Sequence, residues 1–157
     1  MMKNKYVIDG DTLIVYSRKH NQEMLFSVAD ADLAKHYTWY IGKGYATAVA
    51  AGKRTPLYAH RLLMNPPDGM QVDHINGVRH DNRRSNLRIV TIQENSQNRR
   101  SAKGYTWSTQ KRKYKAQIVF NKKNIYLGLY NTEDEARAAY LEGKQKYHPS
   151  APIHLYT

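Results

Sequence analysis

Between Gly69 and Asn98 the chain alternates turn formers with short apolar runs so closely that few local architectures fit. Asn65-Pro66-Pro67-Asp68-Gly69 is turn-forming, and Gly69-Met70-Gln71-Val72-Asp73 then reads as a short strand. Asn76-Gly77 is a strong turn signal, and Leu87-Arg88-Ile89-Val90 reads as the returning strand. Thr91-Ile92-Gln93-Glu94 fits a capping box, with Thr91 as N-cap and Glu94 three residues on, so a helix is predicted to begin there. Asn95 falls one turn into that helix, with Asn98 and Arg99 on its face. The segment predicts a hairpin, a long loop and a helix.

This frame carries a particular set of side chains. Asp73 and His74 stand together at the end of the first strand, Asn86 follows twelve residues after the histidine, and Asn95 lies on the helix. A carboxylate, an imidazole and two carboxamides suit the holding of a divalent cation and the activation of a water. The combination points to hydrolysis.

The stretch DHINGVRHDNRRSNLRIVTIQEN resembles the HNH motif of the ββα-metal endonucleases, in the branch found in phage and intron-encoded homing enzymes. The resemblance covers Asp73-His74, Asp81-Asn82-Arg83, Asn86-Leu87-Arg88 and Glu94-Asn95 at matching spacing. It implies that His74 is the general base, that Asp73 and Asn95 ligate one divalent ion, and that Asn86 pins the loop and orients the histidine. The third motif position, often histidine, is Asn95 here, which weakens the case for zinc or nickel. Phosphodiester hydrolysis needs a base near neutral pH, and an imidazole of pKa ~6.5 supplies one. A carboxylate with a carboxamide oxygen is a hard donor pair, so magnesium is expected, with manganese the alternative.

Charge bears on the partner. The 157 residues carry a formal net charge of +12 and a pI of about 9.8, which calls for a polyanion. Association with a membrane is the competing reading of such charge. No long apolar run supports it, and the opening MMKNKYVIDGDTLIV lacks the apolar centre of a signal peptide, so an intracellular protein is expected. Cysteine is absent, which excludes disulfides and thiolate metal sites.

Residues 1–56 read as a small β-rich part leading into an HNH core at about 57–98. Tyr6 to Tyr16 brackets Asp9-Gly10-Asp11 with two β-rich runs, a hairpin pattern, and Asp30 to Tyr37 suits a short helix. His60, in Leu57-Tyr58-Ala59-His60-Arg61-Leu62-Leu63-Met64, is either a site or phosphate contact or a partly buried packing residue. His80 is expected in solvent or on the DNA backbone, while His20, His36, His148 and His154 have no partner pattern.

Residues 99–103 read as a linker, within the polar and basic stretch Ser96 to Lys103. The first 98 residues hold 13 Lys and Arg against 9 Asp and Glu, a net +4, and the remaining 59 hold 12 against 4, a net +8. Anion binding is thus biased toward the shorter C-terminal part, 104–157. There Gly104 to Trp107, Lys113 to Phe120 and Ile125 to Tyr130 read as strands, with Asn121 to Asn124 as a turn. Alternation puts Tyr114, Ala116, Ile118 and Phe120 on one face and Lys113, Lys115, Gln117 and Val119 on the other. Thr132-Glu133-Asp134-Glu135 is a second capping box, opening a helix whose Ala136, Ala139, Tyr140 and Gly143 form one stripe.

The segment from Gly104 to Tyr140 resembles the Apetala/ethylene-responsive-factor DNA-binding domain, through Gly104, Trp107, Ala116, Ile118, Leu127-Gly128, Tyr130, Thr132, Ala136 and Ala139-Tyr140. Its sheet lies in the major groove in that family. The arginine-rich first strand of the plant domains is replaced here by Tyr105-Thr106-Trp107-Ser108, so base specificity does not transfer. On this resemblance Lys113, Lys115, Gln117 and Tyr126 face the groove, while Lys111, Arg112, Lys122 and Lys123 meet phosphates.

The expected molecule is an α+β protein: an HNH module over 1–98, then a three-stranded antiparallel sheet packed on one helix. Its expected activity is metal-dependent endonucleolytic nicking of double-stranded DNA, as a monomer with a dimer left open. A DNA-binding regulator whose HNH part is inactive is the alternative, and an RNA or single-strand binder a third reading.

Overall fold

The computed structural model describes residues 4–50, 55–98 and 102–156. The protein is α+β and divides into two compact units, Met1–Ile92 and Gln93–Thr157.

In the first unit, β1 (Tyr6–Asp9) and β2 (Thr12–Tyr16) form the hairpin that the Asp-Gly-Asp turn predicts, with Gly10 at φ +53°. Glycine adopts that left-handed backbone without a Cβ penalty. β3 (Glu23–Ser27) extends the sheet antiparallel to β2, burying Met24 and Phe26 against Leu13 and Val15. Trp39 closes this core. Its indole Nε1–H donates to the Ala34 carbonyl at 2.8 Å, and its ring stands 5.3 Å from Phe26. Asn4 fastens it in place: its Oδ1 accepts the Trp39 N–H and its Nδ2 donates to the carbonyls of Trp39 and Tyr16, each at 2.9 Å. The helical stretch expected from Asp30 is a 3₁₀ turn, Val28–Asp30, running into α1 (Ala31–Lys35).

A second small sheet comprises β4 (Tyr40–Gly42), β5 (Tyr45–Val49) and β6 (Pro56–Tyr58), and α2 (Ala59–Met64) follows directly. The central hairpin pairs β7 (Gln71–His74) with β9 (Leu87–Val90), Asp73 opposite Arg88 and His74 opposite Leu87. β7 thus starts two residues later than the turn chemistry suggested and includes His74. Between these strands lies β8 (Asp81–Asn82), which pairs in parallel with Leu25 and Phe26 of β3. The long loop is therefore sewn onto the N-terminal sheet.

α3 (Ile92–Gln97) begins directly after Thr91, and all but its first residue belongs to the second unit. There Tyr156 O–H donates to Asn98 Oδ1 at 2.7 Å and Ser150 O–H to Gln97 Oε1 at 3.3 Å. The expected linker at 99–103, and the expected place of Arg99, fall on 99–101, outside the described residues. β10 (Tyr105–Ser108), β11 (Lys113–Phe120) and β12 (Lys123–Tyr130) form an antiparallel sheet, with a bulge between Ala116 and Gln117.

α4 (Glu133–Tyr147) opens on the predicted capping box. Glu135 N–H donates to Thr132 Oγ1 at 3.2 Å and Thr132 N–H to Glu135 Oε2 at 3.1 Å. Small residues let it lie close to the strands: a methyl group added at Gly143 would meet Leu127 at 2.8 Å. Gly104 has φ +81° and backs directly onto the Tyr140 ring, which leaves no room for a side chain. Lys144 is buried although the stripe did not mark it. Its ammonium lies 4.1 Å from the Tyr156 ring centre, and desolvation pushes its pKa down to about 8.

Candidate active site

Strand pleat sends successive side chains to opposite faces, and β7 uses this to separate Asp73 from His74. Asp73 reaches across the hairpin to its partner in register. Arg88 donates Nε–H and Nη2–H to Asp73 Oδ2 at 3.0 and 2.8 Å. His74, only 5 % exposed, turns toward rings supplied from earlier in the chain. His60 of α2 stands edge-on to it with centroids 5.0 Å apart, and Tyr45 of β5 lies 6.0 Å away. Tyr45 and Tyr58 also flank His60 at 5.3 and 5.7 Å. This cluster is built by the β5–β6 pairing, which sets Thr47 against Tyr58.

Electrostatics follow the packing. Burial pushes the His74 ring below the ordinary imidazole pKa, Arg79 adds to that, and the Asn82 amide with the Asp73 and Asp81 carboxylates pulls the other way. His60 is driven down to about 4 by burial first, then by His74 and Arg61. Both rings are neutral near pH 7, the state in which an imidazole accepts a proton.

The loop around His74 is held by a network. Asn86 Oδ1 accepts the Asn76 N–H at 2.9 Å, and its Nδ2 donates to the Asp81 carbonyl at 2.8 Å. Asp81 takes Nε–H and Nη2–H bonds from Arg83 at 2.8 and 2.6 Å, and an Asn76 amide bond at 2.9 Å. Burial raises the Asp81 pKa, but those bonds outweigh it and hold the carboxyl ionised below its usual range. Arg84 ties the far side down, bonding both oxygens of buried Asp30 at 2.9 and 3.0 Å through Nε and donating its backbone N–H to Ser27 Oγ at 2.9 Å. Asn82 is fully buried and its Nδ2 and Oδ1 meet no regular hydrogen-bond partner among the described residues.

An ionised carboxylate accepts about four hydrogen bonds or ligands. The Asp73 carboxylate is a hard oxygen donor of the kind that divalent cations take. Asn95 is half-buried on α3 in the second unit. Among the described residues no three His, Asp or Glu side chains gather as a metal cage.

The C-terminal residues distribute by face. Lys113, Lys115 and Tyr126 are exposed and Gln117 is half-buried beside Tyr126, its partner in register. Lys111, Arg112, Lys122 and Lys123 are exposed in and beside the two turns. Trp107, 51 % exposed, lies at the rim of the helix-covered face with its ring 4.8 Å from Tyr114. His20, His36 and His154 are exposed and His80 half-buried, whereas His148 is buried and bonds the Val119 carbonyl through Nε2 at 2.8 Å. The aromatic walls Tyr45 and Tyr58 escape sequence reasoning, because strand pairing brings Tyr45 to His74 and Tyr58 to His60 and no spacing marks them.

Residues 58–97 match a family model described as HNH endonuclease, a span that runs from Tyr58 through His60, the hairpin and α3. An uncharacterized HNH endonuclease of Acanthamoeba polyphaga mimivirus is 31% identical over 117 residues, taking in 69% of this chain. The chain spans 61% of that relative's length. No solved structure matches. Over the segment that carries Asp73, His74, Asn86 and Asn95, the chain is similar to HNH endonucleases.

Proposed function

We propose that the protein is a metal-dependent endonuclease that hydrolyses phosphodiester bonds of double-stranded DNA, with His74 as general base. The observation that carries this reading is the state of His74: buried, neutral near pH 7, and braced by His60 and Tyr45. Asp73 and Asn95 would hold one divalent cation, magnesium before manganese. Such an ion supplies Lewis-acid neutralisation of charge on the phosphate and the leaving oxygen. His74 takes the proton of the attacking water, and the expected ends are a 5′-phosphate and a 3′-hydroxyl. Asn86 keeps the loop between the strands in the shape that presents His74. One such site per chain cuts one strand, so a monomer nicks.

The C-terminal sheet, resembling the Apetala/ethylene-responsive-factor domain, would hold the duplex through Lys113, Lys115, Gln117 and Tyr126. Lys111, Arg112, Lys122 and Lys123 would meet phosphates. The exposure of these side chains, Gln117 excepted, on a unit with net positive charge supports the reading.

A second reading, a DNA-binding regulator, is favoured by one observation: Asp73 Oδ2 is already engaged by two Arg88 N–H groups. Supercoiled plasmid separates the two. Incubated with and without magnesium, the endonuclease converts it to open circles only with the metal. A regulator shifts the DNA in a gel and leaves it supercoiled under both conditions.

A further inference from the structure

Four arginines lie on the β7–β9 hairpin and its loop, and three are committed to carboxylates. Arg83 pairs with Asp81 at 2.6 Å, Arg84 with Asp30 at 2.7 Å and Arg88 with Asp73 at 2.8 Å. Arg79 differs. It is exposed, and among the described residues it makes no ion pair and no hydrogen bond through its side chain. Its guanidinium stands 5.0 Å over the Tyr45 ring, the same ring that flanks His74 and His60. The β4–β5 turn closes on its stem, since a Cβ on Gly44 would lie 3.8 Å from Arg79 Cδ.

We propose that Arg79 is the cation that grips the DNA phosphate presented to His74. A guanidinium held by an aromatic ring keeps donors for a partner, and its planar fork matches two oxygens of a phosphodiester. Tyr45 is then a positioning residue, which links the arginine to the imidazole through one ring. The base and the phosphate holder come from either side of the same loop, His74 at its start and Arg79 five residues on, so the Asn76-Gly77 turn sets their separation. The inference rests on the endonuclease reading and adds the group that seats its substrate.

The test compares wild type, Arg79→Lys and Arg79→Gln on one DNA duplex, with folding checked by thermal melting. Two quantities are read: the single-turnover nicking rate at saturating DNA with magnesium, and the slope of log binding constant against log salt in calcium. Each phosphate contact contributes about 0.9 to that slope. Arg79→Gln is expected to flatten the slope by about one and to slow nicking at least tenfold, while Arg79→Lys keeps the slope and recovers part of the rate. An Arg79→Gln slope equal to wild type overturns the assignment, whatever the rate. A wild type that nicks nothing, with the slope still flattened in Arg79→Gln, leaves the phosphate contact standing and removes the endonuclease reading instead.

Discussion

The imidazole of His60 meets that of His74 edge-on, with ring centres 5.0 Å apart and planes at 70°. Burial of His60, with His74 beside it, has a cost that depends on pH. The folded-state pKa of His60 is depressed to about 4, against 6.5 for the ordinary ring. Above pH 6.5 neither folded nor unfolded chains bind this proton, and the stability is full. Between 6.5 and 4 the unfolded chain takes it up and the folded chain does not, so stability falls with falling pH, by a total on the order of 3 kcal/mol. Below 4 the loss levels off. Urea unfolding from pH 4 to 7 should show this slope in the wild type and a slope smaller by about one proton in His60→Phe.

Asn86 offers a prediction about the loop. Its amide bridges the Asn76 N–H and the Asp81 carbonyl in a buried setting. Asn86→Ala removes both bonds and leaves those backbone groups to find other partners, a loss of about 2–3 kcal/mol in urea unfolding. Nicking should fall more than DNA affinity, which gel shifts and single-turnover rates separate.

The C-terminal sheet offers another. Lys113 and Lys115 are exposed on the face away from α4. Replacing both with alanine should weaken duplex binding and flatten its salt dependence. An unchanged slope in fluorescence titrations would show that DNA is held elsewhere.

How much of this was legible beforehand depends on the range of the interactions. Local signals carried through: the Asn76-Gly77 turn, the Leu87–Val90 strand, the Thr132–Glu135 capping box and the alternation of Lys113 to Phe120 all reappear in the structure. Each depends on residues within a few positions of one another. What could not be read was set by distant pairings. The two-residue strand Asp81–Asn82 exists because β3 offers it an edge about 55 residues earlier, a match that neither segment advertises alone. His60 was open between a site role and packing, and its place beside His74 follows from how β6 and α2 fold over the hairpin. Lys144 reads as one more surface lysine until Tyr156 is seen over it. The candidate site was legible as a set of residue types, and its aromatic walls and Arg79 were not.

The central claim is that His74 removes the proton of the attacking water. The direct measurement is the single-turnover rate of plasmid nicking by wild type and His74→Ala, at saturating DNA and magnesium, with DNA affinity measured alongside. The account predicts a loss of about 10²–10⁴-fold in the variant with affinity unchanged. Equal rates for the two proteins would contradict it.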